Sequence, residues 1–191
     1  IGVIGDSWSD NTNNYATKRW YDWVAEKTGA TINCVAVSGS GYMKKADESK
    51  SFYHQALLLD SDCDLVCIFG SGNDCGTNPK YEMGLYNDSS TNTIGGCMNK
   101  TIDNIQANCP NAKILMFSTG PWRDQSNFWN GGGAIFRAHT DLMKEAAKRR
   151  NVRFKDMFRE SNLQPHITSF DTKYYVGDGV HPNDLGHERI Y

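Results

Sequence analysis

The chain has 191 residues, 39% of them hydrophobic and 22% charged, with a net charge of −2 at pH 7; this is enough for one domain with a buried core. Acidic and basic residues are interspersed, and no apolar run approaches the ~20 residues of a membrane-spanning helix, so neither a nucleic-acid surface nor membrane insertion is expected. No signal peptide is visible, and the chain starts inside an apparent strand and stops inside an apparent helix, so residues 1–191 read as a single domain excised from a longer chain.

The first apolar run, Gly2–Ile4, enters Gly5-Asp6-Ser7. Tyr15–Thr28 follows with Trp20 and Val24 at helical spacing and Gly29 as a stop. Ile32–Val37 reads as a second strand, Phe52–Leu59 as a short helix and Leu65–Phe69 as a third strand. Gly76–Gly96, rich in Asn, Ser, Thr and Gly, reads as an excursion over the surface. Met98–Asn108 is a helix closed by Pro110, Ile114–Phe117 a fourth strand, and Asn127–Gly133 a flexible aromatic loop. Ala134–Arg150 is the strongest helix: Ile135, His139, Leu142, Met143 and Ala146 share a face, and Lys148, Arg149 and Arg150 suit the negative end of its dipole. Residues 152–155 alternate as an edge strand does, and Asn183 and Asp184 cap a final helix. Short apolar runs bounded by turn residues are strands buried on both faces, and their alternation with helices predicts an α/β/α sandwich around a five-stranded parallel sheet.

Cys34, Cys63, Cys67, Cys75, Cys97 and Cys109 show no CxxC spacing, so a zinc site is not expected. Cys34 and Cys67 sit in strand-like runs, where a thiol serves as a small core residue. Mostly free thiols are expected, with Cys75 and Cys97 the alternative pair.

In a parallel sheet ligands sit beyond the carboxyl ends of the strands. Small and polar residues collect there: Gly5-Asp6-Ser7, Ser38-Gly39-Ser40-Gly41, Gly70-Ser71-Gly72-Asn73-Asp74 and Thr119-Gly120-Pro121-Trp122, with Asp178-Gly-Val-His181-Pro182 near the C-terminus. A serine hydroxyl is a poor nucleophile without a base, and His181 is the candidate base for Ser7. Asp178, three residues earlier, can reach the far ring nitrogen and orient it. The N–H groups of Ser7 and Gly39 and the Asn73 amide are candidate donors to an oxyanion. Asp6 reads as a structural carboxylate bonded to loop N–H groups.

These blocks, in this order, make the chain resemble the SGNH hydrolases, also called GDSL esterases/lipases. Gly5-Asp6-Ser7-Trp8 matches the Gly-Asp-Ser-Leu block, Gly39 the oxyanion glycine, Ser71-Gly72-Asn73-Asp74 the Gly-x-Asn-Asp block, and Asp178-Gly-Val-His181-Pro182 the Asp-x-x-His-Pro block. The resemblance spans nearly the whole chain and implies a flavodoxin-like three-layer sandwich. It also implies hydrolysis through an acyl-serine with no metal or other cofactor. It leans localisation toward the extracellular side or a particle surface. Three departures stand out: Trp8 for Leu, Ser71 for Gly, and Gly41 as a second candidate for the oxyanion glycine.

Trp8, Trp122 and Arg123 are candidate substrate-binding residues, with capping of the core as the other reading of Trp122. Asp184-Leu-Gly-His187 repeats the Asp-x-x-His spacing, so Asp178, His181, Asp184 and His187 form an alternative metal cluster. Gly-x-Ser-x-Gly, a P-loop and Gly-x-Gly-x-x-Gly after a strand are all missing. The expected activity is that of a serine esterase, with a short acyl group, acetyl on a carbohydrate, as substrate. A small-molecule or glycan ester is thus the expected partner. A lipase or thioesterase of the same fold, or an inactive carbohydrate-binding module, is the alternative.

Overall fold

The computed structural model describes residues 1–44, 47–75, 81–123 and 132–191, with side chains from residue 135 in the last segment. Its strands are β1 (Gly2–Gly5), β2 (Asn33–Cys34), β3 (Leu65–Phe69), β4 (Lys113–Phe117) and β5 (Arg153–Lys155). They form one parallel sheet in the order β2-β1-β3-β4-β5. The helices are α1 (Trp20–Thr28), α2 (Phe52–Gln55), α3 (Gly72–Cys75), α4 (Ile94–Asn108), α5 (Gly132–Arg149), α6 (Met157–Glu160), α7 (Thr168–Tyr174) and α8 (Asp184–Ile190). Among the described residues no helix is long and apolar enough to cross a membrane.

The period of two along a strand divides the interior into two cores. Ile4, Val66, Ile68, Ile114 and Met116 point to one face and pack on α2, α4 and α5 through Phe52, Ile102, Ile105 and Met143. Val3, Cys67, Phe69, Leu115 and Phe117 point to the other, against Trp20 and Tyr21 of α1, Met157 of α6 and residues of α7 and α8. The expected three-layer sandwich is therefore present, and the strands read as unbroken apolar runs because both faces are covered. Cys34, Cys63, Cys67, Cys75 and Cys109 are free thiols, so the alternative pairing of Cys75 with Cys97 does not form.

Several boundaries differ from the sequence reading. The helix expected from Tyr15 begins at Trp20. Residues 10–19 are a loop whose carbonyls, those of Asp10, Asn13 and Ala16, bond to the buried guanidinium of Arg19. Asp22 accepts the Arg19 N–H at 2.7 Å and starts the helix there. The strand expected over 32–37 is regular only at β2, although the N–H groups of Val35 and Val37 still donate to β1 at 3.0 and 3.2 Å. The helix expected to Leu59 stops at Gln55.

The helix expected from Met98 starts at Ile94, capped by Thr93, whose hydroxyl accepts the Gly96 N–H at 3.1 Å. The expected excursion places Gly95 and Gly96 in a loop. They are helical, and they are glycines because the carbonyls of Leu85 and Ser90 lie where a Cβ would be. The excursion thus wraps onto α4 from Tyr81 onward; its residues 76–80 lie outside the described residues, as do 127–131 of the aromatic loop.

In going from β1 to β2 and back across to β3 the chain reverses its direction of travel through the sheet. The crevice at such a reversal lies between the carboxyl ends of β1 and β3, at Gly5 and Phe69.

Gly96→Ala would stabilise an open helix by about 1 kcal/mol. Here the new methyl meets the Ser90 carbonyl, and the variant is expected to unfold at lower urea, losing about 1–3 kcal/mol.

Candidate active site

Ser7 follows β1 at the tip of a turn in which the N–H groups of Ser9 and Asp10 both bond to the Asp6 carbonyl at 3.0 Å. Close packing forces a glycine at position 5, where a Cβ would stand 2.8 Å from the Phe69 carbonyl oxygen. Asp6 is 1% exposed. Its Oδ1 accepts the Trp8 N–H and its Oδ2 the Ser71 N–H, each at 3.0 Å. Burial pushes the Asp6 carboxyl up to about 6, and these two N–H bonds offset only part of that push.

The Ser7 Oγ lies 2.8 Å from His181 Nε2, and His181 Nδ1 lies 2.6 Å from Asp178 Oδ2. A carboxylate at Nδ1 fixes the proton there, so Nε2 presents its lone pair to the Ser7 hydroxyl. The N–H groups of Val180 and His181 also donate to Asp178 Oδ1, at 2.8 and 2.9 Å. Burial alone would raise the Asp178 carboxyl, but the backbone bond from His181, the imidazole and the Val180 N–H outweigh it and hold it below the ordinary carboxylate range. Asp178 therefore remains an anion beside the ring.

The candidate oxyanion donors come from three chain segments. Among the described residues no acceptor takes the N–H of Ser7 or of Gly39. Gly39 has φ +77, and a Cβ there would meet nothing within 4 Å, so its surroundings are open. Gly41 differs: its N–H donates to the Lys50 carbonyl, and it lies packed on the Asp74 carboxylate. Asn73 Nδ2 donates to the Ser40 carbonyl at 2.8 Å and stands 3.5 Å from Asp6 Oδ2. The neighbouring Asp74 accepts the N–H groups of Tyr42 and Met43 at 2.8 and 3.2 Å, tying the Gly39 loop to α3. Ser71, standing where a glycine was expected, takes the left-handed φ of +85 that a glycine would have taken.

The three candidate substrate residues have other surroundings. Trp8 is 2% exposed and packs edge-on to Phe69 and Tyr175, with centroids 5.8 and 6.3 Å away. It is a core residue, because the turn that lifts Ser7 outward points residue 8 inward. Trp122 lies over Gly72 and edge-on to Phe136, where it covers the start of α3. Arg123 donates to Asp171 Oδ2 at 2.7 Å and to the Gly177 carbonyl at 3.3 Å, and its N–H bonds to the Gly179 carbonyl. It braces the loop that carries Asp178.

The alternative metal cluster does not assemble. Among the described residues no three His, Cys, Asp or Glu side chains converge. Asp184 accepts the N–H and hydroxyl of Thr17, both at 2.6 Å, and the N–H of Lys18. His187 is 1% exposed. Burial and the charge of Arg19 push its imidazole down to about 3, so it stays neutral. His139, on the shared face of α5, is wholly buried, 3.6 Å from Asp74.

The sequence reading missed three residues. Tyr15 stacks on His181 with centroids 3.8 Å apart and ring planes within 8°. Asn13 donates to the Ser7 carbonyl at 2.9 Å and to the Ser38 hydroxyl at 3.2 Å. Gln55, fully buried, accepts the Gly5 N–H at 3.0 Å and donates to the Gly5 carbonyl at 3.1 Å and the Ser40 hydroxyl at 2.9 Å. Beside Tyr15 runs an open groove of about 340 Å³, lined by Asn14, Ala16, Thr17, Asn183 and Leu185 among others. A hollow of about 400 Å³ at the opposite end of the sheet, around Lys113 and Arg153, contains none of these groups.

The model of the GDSL-like Lipase/Acylhydrolase family matches residues 3–189. A GDSL lipase of Mycobacterium tuberculosis is 25% identical over 199 residues, spanning 100% of this chain and 77% of that protein. A Lactobacillus plantarum protein of solved structure superposes with a TM-score of 0.84 at 24% identity, covering 99% of this chain and 90% of its own. A carbohydrate acetylesterase from Sinorhizobium meliloti superposes with a TM-score of 0.66 at 17% identity, covering 99% and 95%. An extracellular lipase from Streptomyces rimosus gives 0.63 at 19% identity, covering 100% and 95%. At these identities the structural likenesses bear on the fold.

Two outcomes are expected. Gly70 has φ +110, and a Cβ there would stand 2.6 Å from Asp6 Oδ2. Gly70→Ala therefore dislodges Asp6 and is expected to cost about 2–4 kcal/mol by chemical denaturation. His187 protonates more readily unfolded than folded, so its contribution is whole above pH 6.5 and is lost as pH falls from there toward about 3. The loss approaches about 1.4 kcal/mol per pH unit. Asp6 acts in the opposite sense, its contribution being whole below 3.8 and lost as pH rises through about 6. Stability curves of the wild type and His187→Leu, measured from pH 3 to 8, should diverge by the histidine's share, the variant falling less steeply on the acid side.

Proposed function

Because this chain belongs to the GDSL-like lipase/acylhydrolase family, we propose that it is a serine esterase acting on carboxylic esters through an acyl-serine. The observation that carries the reading is the hydrogen-bonded line Ser7–His181–Asp178, at 2.8 and 2.6 Å. His181 Nε2 takes the Ser7 proton as Oγ attacks the ester carbonyl. Asp178, held as an anion, orients the ring and stabilises the imidazolium. The N–H groups of Ser7 and Gly39, with the Asn73 amide beside them, receive the oxyanion; donors preorganised in this way are each worth a factor of about 10²–10³ in rate. The imidazolium then protonates the leaving alcohol, and water, activated by His181, releases the acid.

For the substrate we propose a short acyl ester, acetyl on a carbohydrate. The groove beside Tyr15 supports this, because Asn14, Thr17 and Asn183 give polar edges around an aromatic wall. The shared fold with a carbohydrate acetylesterase agrees with it. A lipase is the second reading. Val176, five residues before His181, and Leu185, in the groove, are 43% and 47% exposed, an apolar rim that would suit a longer chain.

The test is hydrolysis of chromogenic esters from acetyl to long chain and of an acetylated sugar, by wild type and Ser7→Ala, with and without chelator. Wild type is expected to turn over the acetyl esters in the presence of chelator. Ser7→Ala is expected to lose at least about 10³-fold in kcat. A rate that rises with chain length would favour the lipase reading, and equal rates for Ser7→Ala and wild type would end the serine mechanism.

A further inference from the structure

The imidazole of His181 is held at its edges by Ser7 and Asp178, and one of its faces lies flat on Tyr15. Edge bonds resist sliding of the ring but not its tipping about the Cβ–Cγ bond. That freedom matters most once Nε2 has taken the proton. The Ser7 Oγ is then bonded to the acyl carbon, and only Asp178 still holds the ring. The proton must next pass from Nε2 to the leaving alkoxide, so the ring has to turn a little in its own plane. A parallel aromatic wall allows that movement and opposes tipping. The π face also attracts the imidazolium more than the neutral ring, so the contact strengthens as the reaction proceeds.

The wall is itself fixed. The Tyr15 N–H donates to Asn13 Oδ1 at 3.1 Å, and Asn13 is tied to the Ser7 carbonyl. Arg19, 2% exposed, donates to the carbonyls of Asp10, Asn13 and Ala16 on either side of the tyrosine. Asp184, three residues after His181, holds Thr17 and Lys18. The segment is thus joined both to the nucleophile and to the chain carrying the base.

We propose that Tyr15 is a positioning residue for the base, its ring being the surface along which the His181 imidazole turns from Ser7 to the leaving group. The proposal rests on the esterase reading.

Tyr15→Phe, Tyr15→Leu and Tyr15→Ala separate an aromatic wall from bulk and from the hydroxyl. In proton NMR the carbon-bound ring protons of His181 are expected to be shielded in the wild type and in Tyr15→Phe. In Tyr15→Leu they should move downfield, and the Nδ1–H signal shared with Asp178 should broaden. In hydrolysis of p-nitrophenyl acetate, Tyr15→Leu and Tyr15→Ala should lose about tenfold in kcat with KM within about twofold, while Tyr15→Phe keeps most of the turnover. Wild-type values for Tyr15→Leu in both measurements would overturn the proposal. So would a loss in Tyr15→Phe equal to that in Tyr15→Ala, which would assign the effect to the hydroxyl. A wild-type chain that hydrolyses no ester overturns the esterase reading, and the NMR comparison then decides by itself whether Tyr15 fixes the ring.

Discussion

The arrangement depends on one buried carboxylate. Asp6 spans the crevice where the sheet reverses direction, accepting an N–H from the turn after β1 and another from the turn after β3. It thereby sets Ser7 against the loop that leads to Asn73, two segments more than sixty residues apart in sequence. The position carries a cost: burial makes the charge hard to keep, and Gly70 must be a glycine to leave room for it. The negative charge of Asp6 and a positive charge on His181 attract each other. An imidazolium formed at the site therefore lies in the field of two carboxylates, one touching it and one behind the nucleophile.

What the sequence disclosed and what it withheld follow a physical division. β3 and β4 were legible because an apolar run between turn residues has few other places to be. Ser7, Gly39, Asn73, Asp178 and His181 could be singled out because each stands just past a strand or in the late loop, in a recognisable block. The helix starts differ where a single nearby side chain did the backbone's work. Arg19 bonds to the carbonyls of Asp10, Asn13 and Ala16 and keeps them in a loop, and no local propensity records that. Gly95 and Gly96 looked like loop residues because their role is to let a neighbouring backbone come close.

The candidate substrate residues teach the same lesson from the other side. Trp8, Trp122 and Arg123 are adjacent in sequence to the right loops, but sequence adjacency does not say which way a side chain points. The turn at Ser7 sends Trp8 into the core, and Arg123 bonds to Asp171. Tyr15, eight residues past Ser7 and outside every block, is an aromatic residue that reaches the base.

Ser7 belongs to the first strand's exit and His181 to the last loop, 174 residues later. During synthesis the serine emerges long before the imidazole that would activate it. Most of the sheet and its first helices can form around a hydroxyl that has no base. Hydrolytic competence, on the proposed mechanism, is thus delayed until the segment after α7 has been made, and a product ending short of Asp178 would carry an intact nucleophile without its base.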